Sequence, residues 1–228
     1  MEDLVTSDAS SQEKNVGNRG GVPWWITAAV IVLILAILGV GAALVYSVFN
    51  REDVPLTLAQ RDVVFYQDQA AKKPQDIQAH ISLSNALLAA GRYQEAINEA
   101  EKAITLKPKN LGGYYAKASA LAASGATALA MAEYDKVLKL LPSDGEALFR
   151  KALLQAKSGD LAAATKVMEL SVKAQPTSSD AHFELGRLYE QQGAKGKAID
   201  QYRESLKYVP DYAPALEALK RLGADKQE

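Results

Sequence analysis

Hydrophobic and polar positions divide the chain into two unlike parts. From Gly21 to Asn50 no residue is charged, and Trp24 to Phe49 (WWITAAVIVLILAILGVGAALVYSVF) is almost wholly apolar. As a helix this run is roughly 39 Å long, enough to cross a hydrocarbon core of about 30 Å with some tilt. The spacing predicts a transmembrane helix over 22–50. Trp24 and Trp25 stand at one end and Tyr46 and Phe49 at the other, where amphipathic rings suit the two membrane interfaces. A buried core helix would need a polar face or a shorter run. A cleaved signal peptide is a competing reading, with Gly41-Ala42-Ala43 as its small residues, although the apolar run continues beyond them. Gly39 and Ala43 also have the small-xxx-small spacing of a helix–helix contact, but plain lipid-facing packing explains them equally well.

Beyond residue 55 the apolar positions recur at three- and four-residue spacings, as in Ala96, Ile97, Ala100, Ala103, Ile104 and Leu106, which predicts amphipathic helices. A longer period lies over this one. Gly91, Gly125, Gly159 and Gly193 are 34 residues apart, as are Pro74, Pro108, Pro142, Pro176 and Pro210, and Ala96, Ala130, Ala164 and Ala198. Each type has a physical task. The glycine ends the first helix of a unit, where φ turns positive. The proline stops the second helix. The alanine lets the two backbones of a unit cross closely.

The chain thus resembles the tetratricopeptide-repeat (TPR) family. The stretch AHISLSNALLAAGRYQEAINEAEKAITLKPKN carries the pattern almost complete, and the last unit holds its L-G-x-x-Y run as Leu185, Gly186 and Tyr189. The resemblance covers about two thirds of the chain. It implies an all-α chain: an N-terminal transmembrane helix followed by a right-handed TPR α-solenoid. The organisation read from the sequence is a polar, disordered tail over 1–21 and the transmembrane helix over 22–50. A short tether and an N-terminal packing helix follow over 51–76. Four units occupy 77–110, 111–144, 145–178 and 179–212, and a capping helix and tail take 213–228.

Some positions depart from the family pattern. Lys117 and Lys151 stand where leucine is usual, and Gln155 where a large apolar residue is; looser packing or snorkelling side chains would accommodate them. Met168 fills an aromatic slot. Leu56 to Lys73 reads as a lone second helix of a degenerate unit, with Asp62 in its alanine slot. Ala213 to Leu222 reads as the solvating helix that a repeat stack needs. Arg51 to Pro55 reaches about 18 Å at most, which would keep the repeats close to the bilayer.

The resemblance also implies a groove lined by the first helix of each unit. Its fifth slot holds Ile81, Tyr115, Phe149 and Phe183; its ninth holds Asn85, Ser119, Leu153 and Arg187; its second holds Gln78, Gly112, Glu146 and Asp180. These make an apolar, aromatic inner face with mixed charge toward the C-terminal end. Such a face suits a protein partner presenting an extended peptide or an amphipathic helix. Repeat-to-repeat packing is the competing use of the same side chains. The carboxylate clamp of chaperone-binding TPR domains is not expected. Its slots hold Ile81, Asn85, Ala116, Glu146 and Arg150, and Glu146 has the wrong charge to grip a carboxylate.

Composition narrows the functions. A net charge of −1 with no basic stripe argues against nucleic acid. The absence of cysteine excludes disulfides and thiolate chemistry. His80 and His182 are three periods apart and read as helix-packing residues. Gly112-Gly113 reads as a loop doublet at a unit boundary. No catalytic motif occurs, no converging nucleophile and base can be named, and no cofactor or metal is expected. The expectation is a non-enzymatic interaction scaffold in the cell membrane, single-pass, and part of a membrane complex. Positive charges tie across the span (Lys14 and Arg19 against Arg51 and Arg61). A short tail before one long apolar run favours a cytoplasmic N-terminus and an extracytoplasmic repeat domain, periplasmic in a Gram-negative cell. By analogy of architecture, the alternatives are a structural subunit of a stable membrane complex and a chaperone-like factor for secreted proteins or cytochrome c maturation.

Overall fold

The computed structural model describes residues 24–49 and 57–224. The tail over 1–21, the ends of the expected transmembrane helix at 22–23 and 50, the tether over 51–56 and the last four residues lie outside the described residues. The chain divides into two units, 1–55 and 56–228. The first contains α1 (Trp24–Phe49), an unbroken helix of 26 residues. Its Trp24–Ala42 stretch is long and apolar enough to cross a membrane, and none of that stretch is buried. That removes the core-helix reading and leaves both the membrane span and the signal sequence. Trp24 and Trp25 are exposed. The side chains of Tyr46 and Phe49 lie outside the described residues.

The second unit is a stack of helix pairs. It begins with α2 (Leu58–Lys72), whose start is fixed by a reciprocal cap. The Gln60 backbone N–H donates to Thr57 Oγ1 at 3.3 Å, and the Thr57 N–H donates to Gln60 Oε1 at 2.9 Å. Four pairs follow: α3 (Ile77–Ala89) with α4 (Tyr93–Leu106), and α5 (Leu111–Ala123) with α6 (Thr127–Leu140). Then come α7 (Gly145–Lys157) with α8 (Leu161–Ala174), α9 (Ser179–Gln191) with α10 (Lys195–Tyr208), and a final helix α11 (Ala213–Arg221).

The periodic residues do the work assigned to them. Gly91, Gly125, Gly159 and Gly193 have φ between 74° and 86°. At the first, the Arg92 N–H reaches back to Leu87 O at 2.8 Å and the Gly91 N–H to Leu88 O at 3.0 Å, the doubly bonded cap that a left-handed residue allows. Ala96, Ala130, Ala164 and Ala198 are fully buried where the helices of each pair cross. The second helices end two residues before each proline.

A further 34-residue series starts the first helices. Asp76, Asp144 and Ser178 each accept a backbone N–H in the first turn, at 2.9–3.2 Å. Asn110 holds the same place, but its side-chain oxygen is buried without a partner.

Two departures from the family pattern, Lys117 and Lys151, are resolved by charge pairing. Lys117 Nζ reaches Glu101 at 2.8 Å and Glu133 at 3.2 Å, and Lys151 reaches Asp135 at 2.5 Å. Burial pulls the Lys117 ammonium down, but the hydrogen bonds it donates to the two glutamates outweigh that and leave its pKa raised. Met168 is fully buried, and Gln155 Oε1 is buried with no partner.

One expectation is corrected. Gly112 and Gly113 are not in a loop but in the first turn of α5. A Cβ on Gly113 would lie 2.8 Å from Ile104 Cγ1, and one on Gly112 would lie 2.9 Å from Ile81 Cδ1. The doublet lets α5 approach α3 and α4 closely.

Candidate protein-binding groove

The two histidines serve packing, each held by hydrogen bonds at both ring nitrogens. Both are buried. His80 Nε2 donates to the Pro74 carbonyl at 3.0 Å, and its Nδ1 lies 2.7 Å from Glu99. His182 repeats this 102 residues later, with the Pro176 carbonyl at 2.9 Å and Gln201 at 2.8 Å. Each histidine ties the loop before a first helix to the second helix of the same unit. Among the described residues no three His, Asp or Glu side chains gather as a metal-ligand set.

The fifth-slot side chains are half-buried in all four units. Tyr115 meets the Tyr134 ring edge-on at 5.8 Å, and its hydroxyl donates to Asp144, the cap of the next unit. Burial and that carboxylate push the Tyr115 phenol far up. Phe183 lies between Tyr202 at 5.6 Å and Tyr212 at 5.5 Å. Phe149 packs against the cluster around Met168 and Leu185. The Ile81 side chain fills the space left by Gly112. The aromatic row therefore joins repeat to repeat, and only part of each ring faces outward.

One depression of about 520 Å³ lies beside Pro74, His80 and Leu106, away from the predicted groove residues, and two others lie over the later first helices. A depression of about 450 Å³ is lined by Phe183, Arg187, Glu190, Pro214, Glu217 and Arg221. A second, of about 230 Å³, is lined by Leu153, Ala156, Lys157, Glu184 and Arg187. Both also touch Arg187 and Gln191, so they lie side by side along α9, between α7 and α11, and together are called the trough. Of the sequence-predicted groove residues, the structure brings Leu153, Phe183 and Arg187 together here. Ile81, Asn85, Tyr115, Ser119 and Phe149 line neither depression. Glu190, Gln191 and the α11 residues were missed, and their signal was available: 190 and 191 follow Arg187 by three and four residues on the same helix face.

Charge divides the same surface. At the second, fifth and ninth slots α3 and α5 carry no charge, whereas α7 and α9 carry Glu146, Asp180 and Arg187. Several charges in and beside the trough are internally paired. Arg187 donates to both oxygens of Glu184 at 2.8 and 2.9 Å, Arg150 to Glu146 at 2.6 Å, and Arg221 to Glu190 at 2.8 Å. The Arg221 guanidinium holds the Glu190 carboxyl below its ordinary range, against some burial and with help from the Tyr202 hydroxyl. These pairs are exposed enough to exchange partners at small cost.

Comparison with known proteins agrees with this architecture. The sequence profile of the tetratricopeptide repeat matches residues 66–110, 81–145, 115–179 and 149–215. No curated protein sequence matches the chain. Among solved structures, TTC0263, a thermophilic TPR protein of Thermus thermophilus, superposes with a TM-score of 0.60 at 18% identity. The match covers 70% of this chain and 88% of that one. MamA gives 0.58 at 16% identity, over 70% and 99% of the two chains. YrrB, described as a TPR protein with an unusual peptide-binding site, gives 0.56 at 23% identity, over 78% and 88%. At these identities the likeness is one of fold.

Proposed function

This chain belongs to the tetratricopeptide-repeat family, and from that premise we propose that it is a membrane-anchored scaffold whose C-terminal trough holds a segment of a protein partner. Repeat proteins of this kind are interaction modules, stable because each unit buries its neighbour, and their long first-helix surface is left for binding. The observation that carries the reading is the trough itself. It places an apolar floor of Leu153 and Phe183 beside Arg187, and exchangeable ion pairs form its rim. An amphipathic helix or extended peptide fits such a floor with its apolar side and can recruit Arg187 with a carboxylate. YrrB's described peptide-binding site supports a peptide as the type of ligand.

The anchor is α1, and the four units over 77–212 are held outside the cytoplasm. The uncharged 26-residue run supports anchoring, and the short polar tail before it supports that orientation. The tether leaves the partner's segment close to the bilayer, where confinement raises its effective concentration.

The test is photo-crosslinking in native membranes from probes at Leu153, Arg187 and, as a comparison, Asn85, with adducts identified by mass. Adducts with one partner from 153 and 187, reduced by Phe183→Ser, are expected. Crosslinks confined to the chain itself would sink the groove. Resistance to carbonate extraction tests the anchor. Protease access to the repeats in permeabilised but not intact spheroplasts would overturn the orientation.

A further inference from the structure

The trough is not the only surface open to a partner. In the regular pairs, a second helix is covered on one side by the first helix of its own unit. In α4 that side carries Ala96, whose carbonyl accepts from Ser84 Oγ at 2.7 Å, and Glu99, which meets His80. Among the described residues of the second unit, the helix α2 is a second helix without a first. Its Val63 and Ala70 are buried in the core with Leu83 and Leu87 of α3. The positions 34 residues before Ala96 and Glu99 are Asp62 and Phe65, and both are exposed. Phe65 is 57% exposed and Leu58, two turns earlier on the same side, is 78% exposed. Arg61, Asp68 and Lys72 flank this strip.

The geometry points to a second copy of the chain as the occupant, with the two α2 helices packed antiparallel across a twofold axis near Phe65. An isologous contact must be complementary to itself. Arg61 and Asp68 lie on opposite sides of Phe65, at nearly equal distances along the helix. Antiparallel pairing about an axis between Val64 and Phe65, both exposed, sets Arg61 of each copy against Asp68 of the other and Asp62 against Gln67, with the Phe65 rings close to the axis. Parallel pairing would oppose like charges instead. Asp68 already holds its own Lys72 at 2.6 Å, so its carboxylate has a second oxygen for the incoming guanidinium. A lipid surface is the less suitable occupant, because Asp62 and Asp68 share the strip with the two basic residues. Anchoring by α1, proposed above, would confine the copies to a plane and favour the contact.

The absence of cysteine makes the test clean. Lys166→Cys, exposed on α8 and away from α2, takes a donor or acceptor dye in the full-length chain, which is then reconstituted in dilute phosphatidylcholine vesicles. Energy transfer above the random-collision level is expected. Phe65→Asp should return it to that level. Arg61→Asp should weaken association about tenfold, because both symmetric pairs turn repulsive, and Arg61→Asp with Asp68→Arg should restore it. All three positions are exposed, so circular dichroism should be unchanged. Transfer no higher than random in the unsubstituted chain overturns the proposal. So does transfer that survives Phe65→Asp, or a double variant no better than Arg61→Asp. A dye on Gln67→Cys quenched by spin-labelled lipid, where the Lys166→Cys chain shows no transfer above random, assigns the strip to the bilayer and also overturns it. Vesicle flotation reports anchoring separately, so its failure is told apart from failure of the dimer.

Discussion

Gly186 is the tightest point of the C-terminal repeat, and replacing it by alanine isolates the cost of one methyl group. A Cβ there would lie 2.7 Å from both Cδ1 and Cε1 of Tyr202 and 3.2 Å from the Ala198 carbonyl oxygen. Carbon–carbon contacts are comfortable near 3.5–4.0 Å, so the ring must retreat by about 1 Å. It cannot retreat freely. Tyr202 is fully buried, its hydroxyl donates to Glu190 at 2.7 Å, and Phe183 packs on its other side. Overpacking of this kind costs roughly 1–3 kcal/mol, while alanine recovers up to about 1 kcal/mol of helix propensity over glycine. The net expectation is a loss of about 1–2 kcal/mol. Gly196 is the internal control, because it is also helical but has nothing within 4 Å of its Cβ position. Gly196→Ala should stabilise by about 0.5–1 kcal/mol. Urea unfolding of the full-length chain in detergent micelles, followed by circular dichroism, reads both. With m near 2 kcal/mol/M the two midpoints should move in opposite directions by roughly 0.3–1 M. Equal stabilisation by the two alanines would refute the claim that the Tyr202 ring needs Gly186.

Three other outcomes are expected. Lys117→Leu should cost about 1–3 kcal/mol, because the buried Glu133 then keeps only Lys136, and Lys117→Leu with Glu133→Gln should recover most of it in the same urea assay. Glu190 has a folded pKa below its ordinary value of 4.5, chiefly through Arg221, so its contribution is complete above that value and is lost as pH falls through the folded pKa. Hydrogen exchange of α11 should accelerate over that acid window, and Arg221→Met should weaken the pH dependence. Tyr212 is pushed up to about 12 by burial and by Asp180, so its contribution is complete below the ordinary 10.0 and is lost as pH rises through about 12. Asp180→Asn should bring the phenol's titration at 295 nm to lower pH.

The architecture was legible because each of its parts has a backbone reason that one residue type serves best. A left-handed cap calls for glycine, a helix stop for proline and a close crossing for alanine, so a 34-residue period in those three types specifies the turn, the stop and the crossing together. What escaped the sequence was the use of residues whose role depends on a neighbour from another unit. Gly112-Gly113 looked like a loop because two adjacent glycines ordinarily mark a turn; only Ile81 and Ile104, 31 and nine residues earlier, make them a packing device inside α5. Lys117 looked like a defect until Glu101 and Glu133 stood beside it.

The groove shows the same limit in a form that bears on function. Slot position tells which way a side chain leaves its helix, but not how much of it the next repeat consumes. Tyr115, held by Asp144 and Tyr134, is spent on joining two units, whereas Leu153 and Phe183 keep a face on the trough. The difference follows from where the first helices draw together. Glycines at the start of α5 bring it against α3, so little depth is left between those two helices. Later in the stack the corresponding positions of α9 carry Asp180 and Ala181 rather than two glycines, and the depressions open there. The two depressions that predicted groove residues line therefore both lie in the C-terminal repeats. Probes at Asn85 and Arg187 should therefore differ in their adducts even though both occupy the ninth slot.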